Sequence, residues 1–203
     1  DHYRHPAYTG DTDDRVQALA VVGGLADADK YPVLLECLKT HEHASPYTEK
    51  YVMEALFKMG YPQEGLDRMK RRFGPMVDNP DFTTLFEGWG IGAEGYGGGT
   101  TNHAWSGGGL TILSQYVAGV SPIEPGYKVF RIAPALAGLS YAKAVVPTVN
   151  GDIAVSSKRN GDKMTIKFNV PKGTAAVVDI PESARNLTVN GKKRESADLH
   201  LDK

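Results

Sequence analysis

The 203-residue chain carries 23 lysines and arginines against 24 aspartates and glutamates, a formal net charge of -1, with 41% hydrophobic and 23% charged residues. That is the composition of a globular chain long enough for one large domain or two small ones, and its near-neutral balance offers no field to gather nucleic acid or an anionic membrane surface. Apolar runs such as Leu19 to Val22 and Ala142 to Val146 fall far short of the roughly 18 residues that a membrane-spanning helix requires. The lone Cys37 cannot form an internal disulfide, and its helix-like apolar neighbours Leu34, Leu35 and Leu38 point to a buried, inert thiol. The chain opens on Asp1-His2-Tyr3-Arg4-His5, with neither a methionine nor a basic-then-apolar leader, as a piece of a longer protein would.

The first half reads as helices. An acidic turn, Asp13-Asp14, precedes Val16, Leu19, Ala20 and Val22 at three- and four-residue spacing, predicting an amphipathic helix that closes at Gly23-Gly24. A second is predicted over 28–39 with Val33, Leu34, Cys37 and Leu38 as its stripe. Ser45-Pro46 is an N-cap followed by proline at the first helical position, opening a helix that buries Tyr51, Val52, Ala55, Leu56 and Met59 and stops at Gly60. A fourth is predicted over 63–73, with Leu66, Met69 and Phe73 inward and Arg68, Lys70, Arg71 and Arg72 on a solvated face that complements the helix dipole. Ten of the 23 glycines then fall between Gly88 and Gly109, predicting a long loop in which backbone can approach a ligand closely. Helical spacing resumes over 110–120.

After Ser121-Pro122 the period changes. Short stretches rich in valine, isoleucine and threonine at 127–132, 144–149, 153–157, 164–170 and 175–180 are punctuated by Asn150-Gly151, Asn160-Gly161-Asp162, Pro171-Lys172-Gly173 and Asn190-Gly191, which predicts an antiparallel sandwich. The segment through Val120 has 10 basic and 16 acidic residues, a balance of -6, and the remainder has 13 and 8, a balance of +5. Period and charge together suggest an α+β chain of two domains, 1–120 and 121–203.

Three groups of residues could carry chemistry. His2 with His5, and His41 with Glu42 and His43, lack a third ligand at a defined offset, so no metal or cofactor is expected. The run Gly95 to Thr101 lacks the lysine of a phosphate-binding loop and follows no strand, which argues against a nucleotide site. The third group is Thr83-Thr84-Leu85-Phe86-Glu87-Gly88-Trp89 together with Thr101-Asn102-His103-Ala104-Trp105. Glu87 is set among apolar residues where a carboxylate is costly unless it is partnered or working. His103 can donate or accept hydrogen bonds, and Trp89, Tyr96 and Trp105 offer faces on which a sugar ring can pack.

The Thr83 to Trp89 run resembles the Thr-Thr-aliphatic-aromatic-Glu-X-Trp motif of the α-L-rhamnosidases of glycoside hydrolase family 78. Asn102 to Gly107, leading into Tyr116-Val117-Ala118-Gly119-Val120, resembles the segment that follows it there. Thr9-Gly10-Asp11-Thr12, Ser45-Pro46-Tyr47 and Ala55 to Gly60 are similar to helix starts and ends of that family in the same order. The resemblance implies part of an (α/α)6 catalytic barrel followed by a C-terminal β-sandwich, and a periplasmic or secreted location. It implies that Glu87 is the general base, that His103 hydrogen-bonds the rhamnose, and that Trp89 and Trp105 line the substrate site. Gly88 stands where many members carry a basic residue, and the loop from Gly90 to Thr100 is shorter and richer in glycine than the family pattern.

The implied reaction is inverting hydrolysis of a terminal α-L-rhamnose from a glycan or glycoside, in which one carboxylic acid protonates the leaving oxygen and Glu87 activates water on the opposite face. The family's general acid lies earlier in the barrel than the matched segments, so this chain by itself is expected to be inactive and to self-associate through barrel surface left without its neighbours. Two other readings are weighed. A non-catalytic carbohydrate-binding or structural module would use the aromatics without cleavage, and a polysaccharide lyase would use Tyr96 with His103.

Overall fold

The computed structural model describes residues 2–91, 99–180 and 184–193, and the backbone of 198–202. It separates into two compact units, 1–112 and 113–203. The matched glycine stretch therefore lies partly outside the described residues, Tyr96 with it.

The first unit is built on helical hairpins. Helix α1 spans Asp14–Val22, α2 Tyr31–Thr40, α3 Pro46–Lys58 and α4 Pro62–Val77, with a short α5 at Gly108–Ile112. The local signals behave as expected. Asp13 caps α1 by accepting from the Arg15 N–H, and Ser45 caps α3 by accepting from the Thr48 N–H with Pro46 in the first turn. Helix α4 runs one turn beyond its expected end because Pro75 falls in its last turn and the Asp78 N–H still reaches the Gly74 carbonyl. Gly65 of α4 faces Phe57 of α3 so closely that a Cβ there would stand 2.7 Å from the ring. The absent side chain sets how near the two helices pack. Leu34, Leu38, Val52, Ala55, Leu56 and Met59 form the core together with Ala18 and Val21.

Two helix faces differ from the sequence expectation. On α1 the buried residues are Asp14, Gln17, Ala18, Ala20 and Val21, and Val16 and Leu19 are exposed. Val33 of α2 is likewise exposed. The polar Gln17 is accepted inside because it makes two reciprocal bonds with the Tyr3 backbone, each 2.8 Å, which satisfies its amide completely on that side.

The basic run on α4 is the second correction. Arg68 is not on a solvated face; its side chain is 1% exposed, and it pairs with the fully buried Asp14 and Glu49. All five of its N–H donors are used. Nε donates to Glu49, and Nη2 donates to Glu49 Oε2 at 3.1 Å and to Asp14 Oδ2 at 2.6 Å. Nη1 donates to the carbonyls of Leu38 and His41 at the end of α2. Burial works against the guanidinium charge, but Glu49 and Asp14 outweigh it and hold the Arg68 pKa above its ordinary value. Asp14 and Glu49 sit in the first turns of α1 and α3, so this one side chain brings both N-termini and the C-terminus of α2 to the same end of the unit.

The second unit starts with a π-helical turn at Leu113–Val117, whose 2.8 Å bond from Ala118 N to Leu113 O spans five residues. The helix expected over 110–120 is therefore short and broken, and β1 already begins at Val120. Gly119 makes the exit: its φ is +76°, and a Cβ would lie 2.3 Å from the backbone of Ala133 and Pro134. Strands β1 (Val120–Pro122), β2 (Val129–Ile132), β6 (Ala175–Asp179) and β9 (Asp198–Asp202) form one sheet in the order β1-β2-β6-β9. Strands β3 (Tyr141–Val146), β4 (Ile153–Asn160) and β5 (Lys163–Phe168) form a second. A two-residue pair, β7 (Thr188–Val189) and β8 (Lys192–Lys193), stands apart. Phe130, Ile132, Ala176 and Val178 of the first sheet meet Ile153 and Val155 of the second in one core, which is sandwich packing. All pairings among the described strands are antiparallel except β2 with β6, which run parallel.

Two measurements follow from the first unit. Arg68→Met leaves two buried carboxylates without their cation and is expected to destabilise the unit by about 3–5 kcal/mol in urea denaturation. Arg71→Met, which removes only the exposed pair with Glu42, should change stability by no more than about 1 kcal/mol. Burial pushes the Cys37 thiol up to about 11, so a thiol-specific disulfide reagent should label the native chain only at the rate of unfolding and label it at once in denaturant.

Candidate active site

The site motifs meet on a loop that closes on itself. The Glu87 N–H donates to the Thr100 carbonyl and the His103 N–H to the Leu85 carbonyl, each at 2.9 Å. These two bonds bring residues 85–87 alongside 100–103 and leave the glycine stretch as the excursion between them. Side chains latch the same seam: Thr84 Oγ1 donates to the Thr101 carbonyl and Ser106 Oγ to the Phe86 carbonyl. Phe86 is buried against Phe82 at 5.5 Å, edge to face, which seats the seam in the unit.

On that seam Glu87 and His103 stand side by side, 27% and 31% exposed, with His103 Nδ1 3.7 Å from Glu87 Oε2. Thr100 joins them. Its N–H donates to Glu87 Oε2 at 3.0 Å, its hydroxyl lies 3.4 Å from the same oxygen, and that hydroxyl is 2.8 Å from His103 Nδ1. Glu87 is thus held through one oxygen, and among the described residues Oε1 has no hydrogen-bond partner. A carboxylate so held can polarise a water or accept from a hydroxyl without moving.

The two tryptophans have different surroundings. Trp105 is 41% exposed, its indole N–H donates to the Glu87 carbonyl at 3.2 Å, and its ring centroid lies 4.3 Å from that of His103. It forms a wall beside the pair. Trp89 is turned toward α4, edge to face with Phe73 at 5.1 Å and under the Arg72 guanidinium at 4.1 Å, and its N–H donates to the Ala44 carbonyl at 2.7 Å. These contacts make Trp89 a pillar of the loop. Arg72 also donates to the Ala44 and Glu42 carbonyls and pairs with Glu42, and it stands 3.5 Å from Glu49 Oε2. Burial raises the Glu42 pKa, but hydrogen bonding from Arg71 and the charges of Arg72 and Arg71 prevail, so its carboxyl titrates below the ordinary range.

The histidines of the other motifs are drawn into local structure. Glu42 faces Arg71 and Arg72, the rings of His41 and His43 stack at 6.0 Å, and His5 Nδ1 accepts from the Ala7 N–H. No cluster of three metal-ligating side chains occurs among the described residues. Sequence reasoning missed Tyr47, which lies against Trp105 at 5.5 Å; its place directly after the Ser45-Pro46 cap was the available signal.

Glu87 is thus a carboxylate with one oxygen fixed and, among the described residues, one without a partner, beside an imidazole and an exposed indole. The comparisons with known proteins narrow the class. Residues 119–195 match the bacterial alpha-L-rhamnosidase C-terminal domain. An alpha-L-rhamnosidase of Formosa agariphila is 29% identical over 119 residues, covering 55% of this chain and 13% of that protein. The GH78 family rhamnosidase of Bacillus sp. GL1 superposes with a TM-score of 0.67 at 27% identity, over 84% of this chain and 19% of that one. The alpha-L-rhamnosidase of Dictyoglumus thermophilum superposes with a TM-score of 0.75 at 21% identity, over 93% and 24%. Residues 119–195 are thus similar to the C-terminal domain of bacterial alpha-L-rhamnosidases, and the chain resembles the C-terminal part of the longer relatives. It spans no more than about a quarter of the length of any of these three relatives.

Proposed function

We propose that this chain supplies the base side of an inverting α-L-rhamnosidase, with residues 1–120 completing a helical barrel and 121–203 forming the sandwich that follows it. The observation that carries the reading is the state of Glu87: Thr100 fixes one carboxylate oxygen, and the other has no partner among the described residues. In an inverting enzyme the base must hold a water on the face of the sugar opposite the leaving group, about 6.5–9.5 Å from the acid. Glu87 Oε1 takes that water. His103, oriented by the Thr100 hydroxyl, hydrogen-bonds a rhamnose hydroxyl, and Trp105 packs on the apolar side of the ring. The general acid comes from the barrel segments that precede this part in the longer relatives. The substrate is a glycan or glycoside ending in α-L-rhamnose.

A non-catalytic binding module would need the same wall and imidazole but no open base. The uncommitted Glu87 oxygen favours the hydrolase. In the protein that carries the complete barrel, Glu87→Gln should lower kcat on an aryl α-L-rhamnoside by about 10²- to 10⁴-fold, the usual worth of a positioned acid or base, with little change in KM. Its melting temperature should stay within a degree or two, because the amide oxygen can still accept from Thr100. Turnover near normal with a lowered melting temperature would identify Glu87 as structural.

The outward face of α1 bears on assembly. Val16 and Leu19 lie one turn apart and are exposed. We take this stripe as barrel interface, so the chain by itself self-associates through it. Light scattering should show concentration-dependent oligomers, and Val16→Ser with Leu19→Ser should return the chain to a monomer.

A further inference from the structure

The first two turns of α3 carry a pair of aromatic side chains, Tyr47 and Tyr51, that the rhamnose site does not use. Tyr47 is 46% exposed and stands between Trp105, 5.5 Å away and tilted by 35°, and Tyr51, 6.1 Å away and edge-on at 82°. With the His103 ring 4.3 Å from that of Trp105 and tilted by 45°, the rings run in series outward from the Glu87 pair: His103, Trp105, Tyr47, Tyr51. Each member is held. Trp105 is tied to the Glu87 carbonyl. Tyr51 carries the Lys50 ammonium 4.6 Å over its ring, and Lys50 is itself paired with Glu54 at 2.7 Å. Tyr47 lies two residues before Glu49, which Arg68 clamps inside the unit, so the backbone that presents it is fixed.

We infer that Tyr47 and Trp105, backed by Tyr51, form a second sugar subsite that holds the pyranose to which the terminal rhamnose is joined. This rests on the reading of Glu87 and His103 as the rhamnose site and extends it by one ring. The geometry favours a puckered ring over a flat one. Tyr47 and Trp105 are inclined to each other, and Tyr51 stands across Tyr47, so together they cup a body with C–H groups on its face rather than offer one plane for an extended aromatic to lie on. Each tyrosine of the pair also carries a phenol hydroxyl, which can hydrogen-bond a sugar hydroxyl.

The test is equilibrium binding to the Glu87→Gln variant of the protein that carries the complete barrel, read by tryptophan fluorescence and confirmed by calorimetry, with three probes: L-rhamnose, a methyl-capped disaccharide of α-L-rhamnose on a hexose, and p-nitrophenyl α-L-rhamnoside. The disaccharide should bind about tenfold more tightly than L-rhamnose, the gain of one well-stacked aromatic contact. Tyr47→Ala should remove that gain and leave the Kd for L-rhamnose unchanged; Tyr47→Phe should keep most of it. His103→Ala should weaken both sugars alike. Circular dichroism melting of each variant separates loss of binding from loss of fold. Equal affinity of the Glu87→Gln protein for L-rhamnose and the disaccharide, or a gain that survives Tyr47→Ala in a folded variant, overturns the second subsite and leaves the rhamnose site standing. A gain shown by the p-nitrophenyl glycoside and not by the disaccharide overturns the sugar assignment in favour of a flat aglycone. Absence of saturable L-rhamnose binding overturns the site reading and this inference together.

Discussion

Arg68 determines how the helical unit is put together. One guanidinium with all five N–H groups engaged ties the first turn of α1, the first turn of α3 and the last carbonyls of α2 to the middle of α4. Buried carboxylates at helix N-termini are favourably placed with respect to the helix dipoles, but without a cation their desolvation would exceed that benefit. Arg72, 3.5 Å from Glu49, brings the local count to two positive and two negative groups. A buried cluster that is neutral and nearly saturated tolerates only one arrangement of the helices that contribute to it. Asp14 Oδ1 and Arg72 Nε remain without hydrogen bonds, so saturation falls short at its two outer members.

The same cluster extends to the candidate site. From Glu49 the contact passes to Arg72, from Arg72 to the face of Trp89 and the carbonyls of Glu42 and Ala44, and from Trp89 by its N–H back to Ala44. Trp89 is two residues from Glu87. Glu87 is thus carried on a loop whose far side is pinned to the core by an indole, which gives a loop residue the placement usually expected of a residue on a rigid element. Tyr47 inherits its position from the same source, since it precedes Glu49 on α3.

Much of this was legible in the sequence, for identifiable reasons. The caps at Asp13 and Ser45, the stop at Gly60 and the turns at Asn150-Gly151 and Asn160-Gly161 are local chemistry, and local chemistry is readable from neighbours alone. Glu87 and His103 were legible because both lie in short motifs. Arg68 was not. A run of four basic residues within five positions has the look of a solvated helix face, and nothing local distinguishes the first of them; its partners Asp14 and Glu49 lie 54 and 19 residues away. On α4 Phe73 is buried as expected, but Gly65 and Arg68 take the buried places expected for Leu66 and Met69, for the same reason. The hint available was Gly65, a residue costly inside a helix unless a neighbour requires the space, as Phe57 does. On α1, Val16 and Leu19 matched helical period and still face outward, because periodicity reports which residues share a face and does not say which of two faces this unit itself covers.

The loop that carries the site divides into parts with different constraints. Its rims are fixed by the Glu87–Thr100 and His103–Leu85 backbone bonds, by the Thr84 and Ser106 hydroxyls, and by Trp89 and Trp105 reaching to opposite supports. The position of Glu87 relative to His103 therefore depends on the seam and its supports and not on the residues between Gly90 and Gly99. Insertion, deletion or glycine enrichment inside the excursion leaves the two groups 3.7 Å apart as long as the seam closes. This is why the departure of this stretch from the usual family pattern does not bear on the hydrolytic chemistry proposed for Glu87. Tyr47, which lies against Trp105, is placed instead by α3, two residues before the clamped Glu49, and its position is likewise independent of the loop's length.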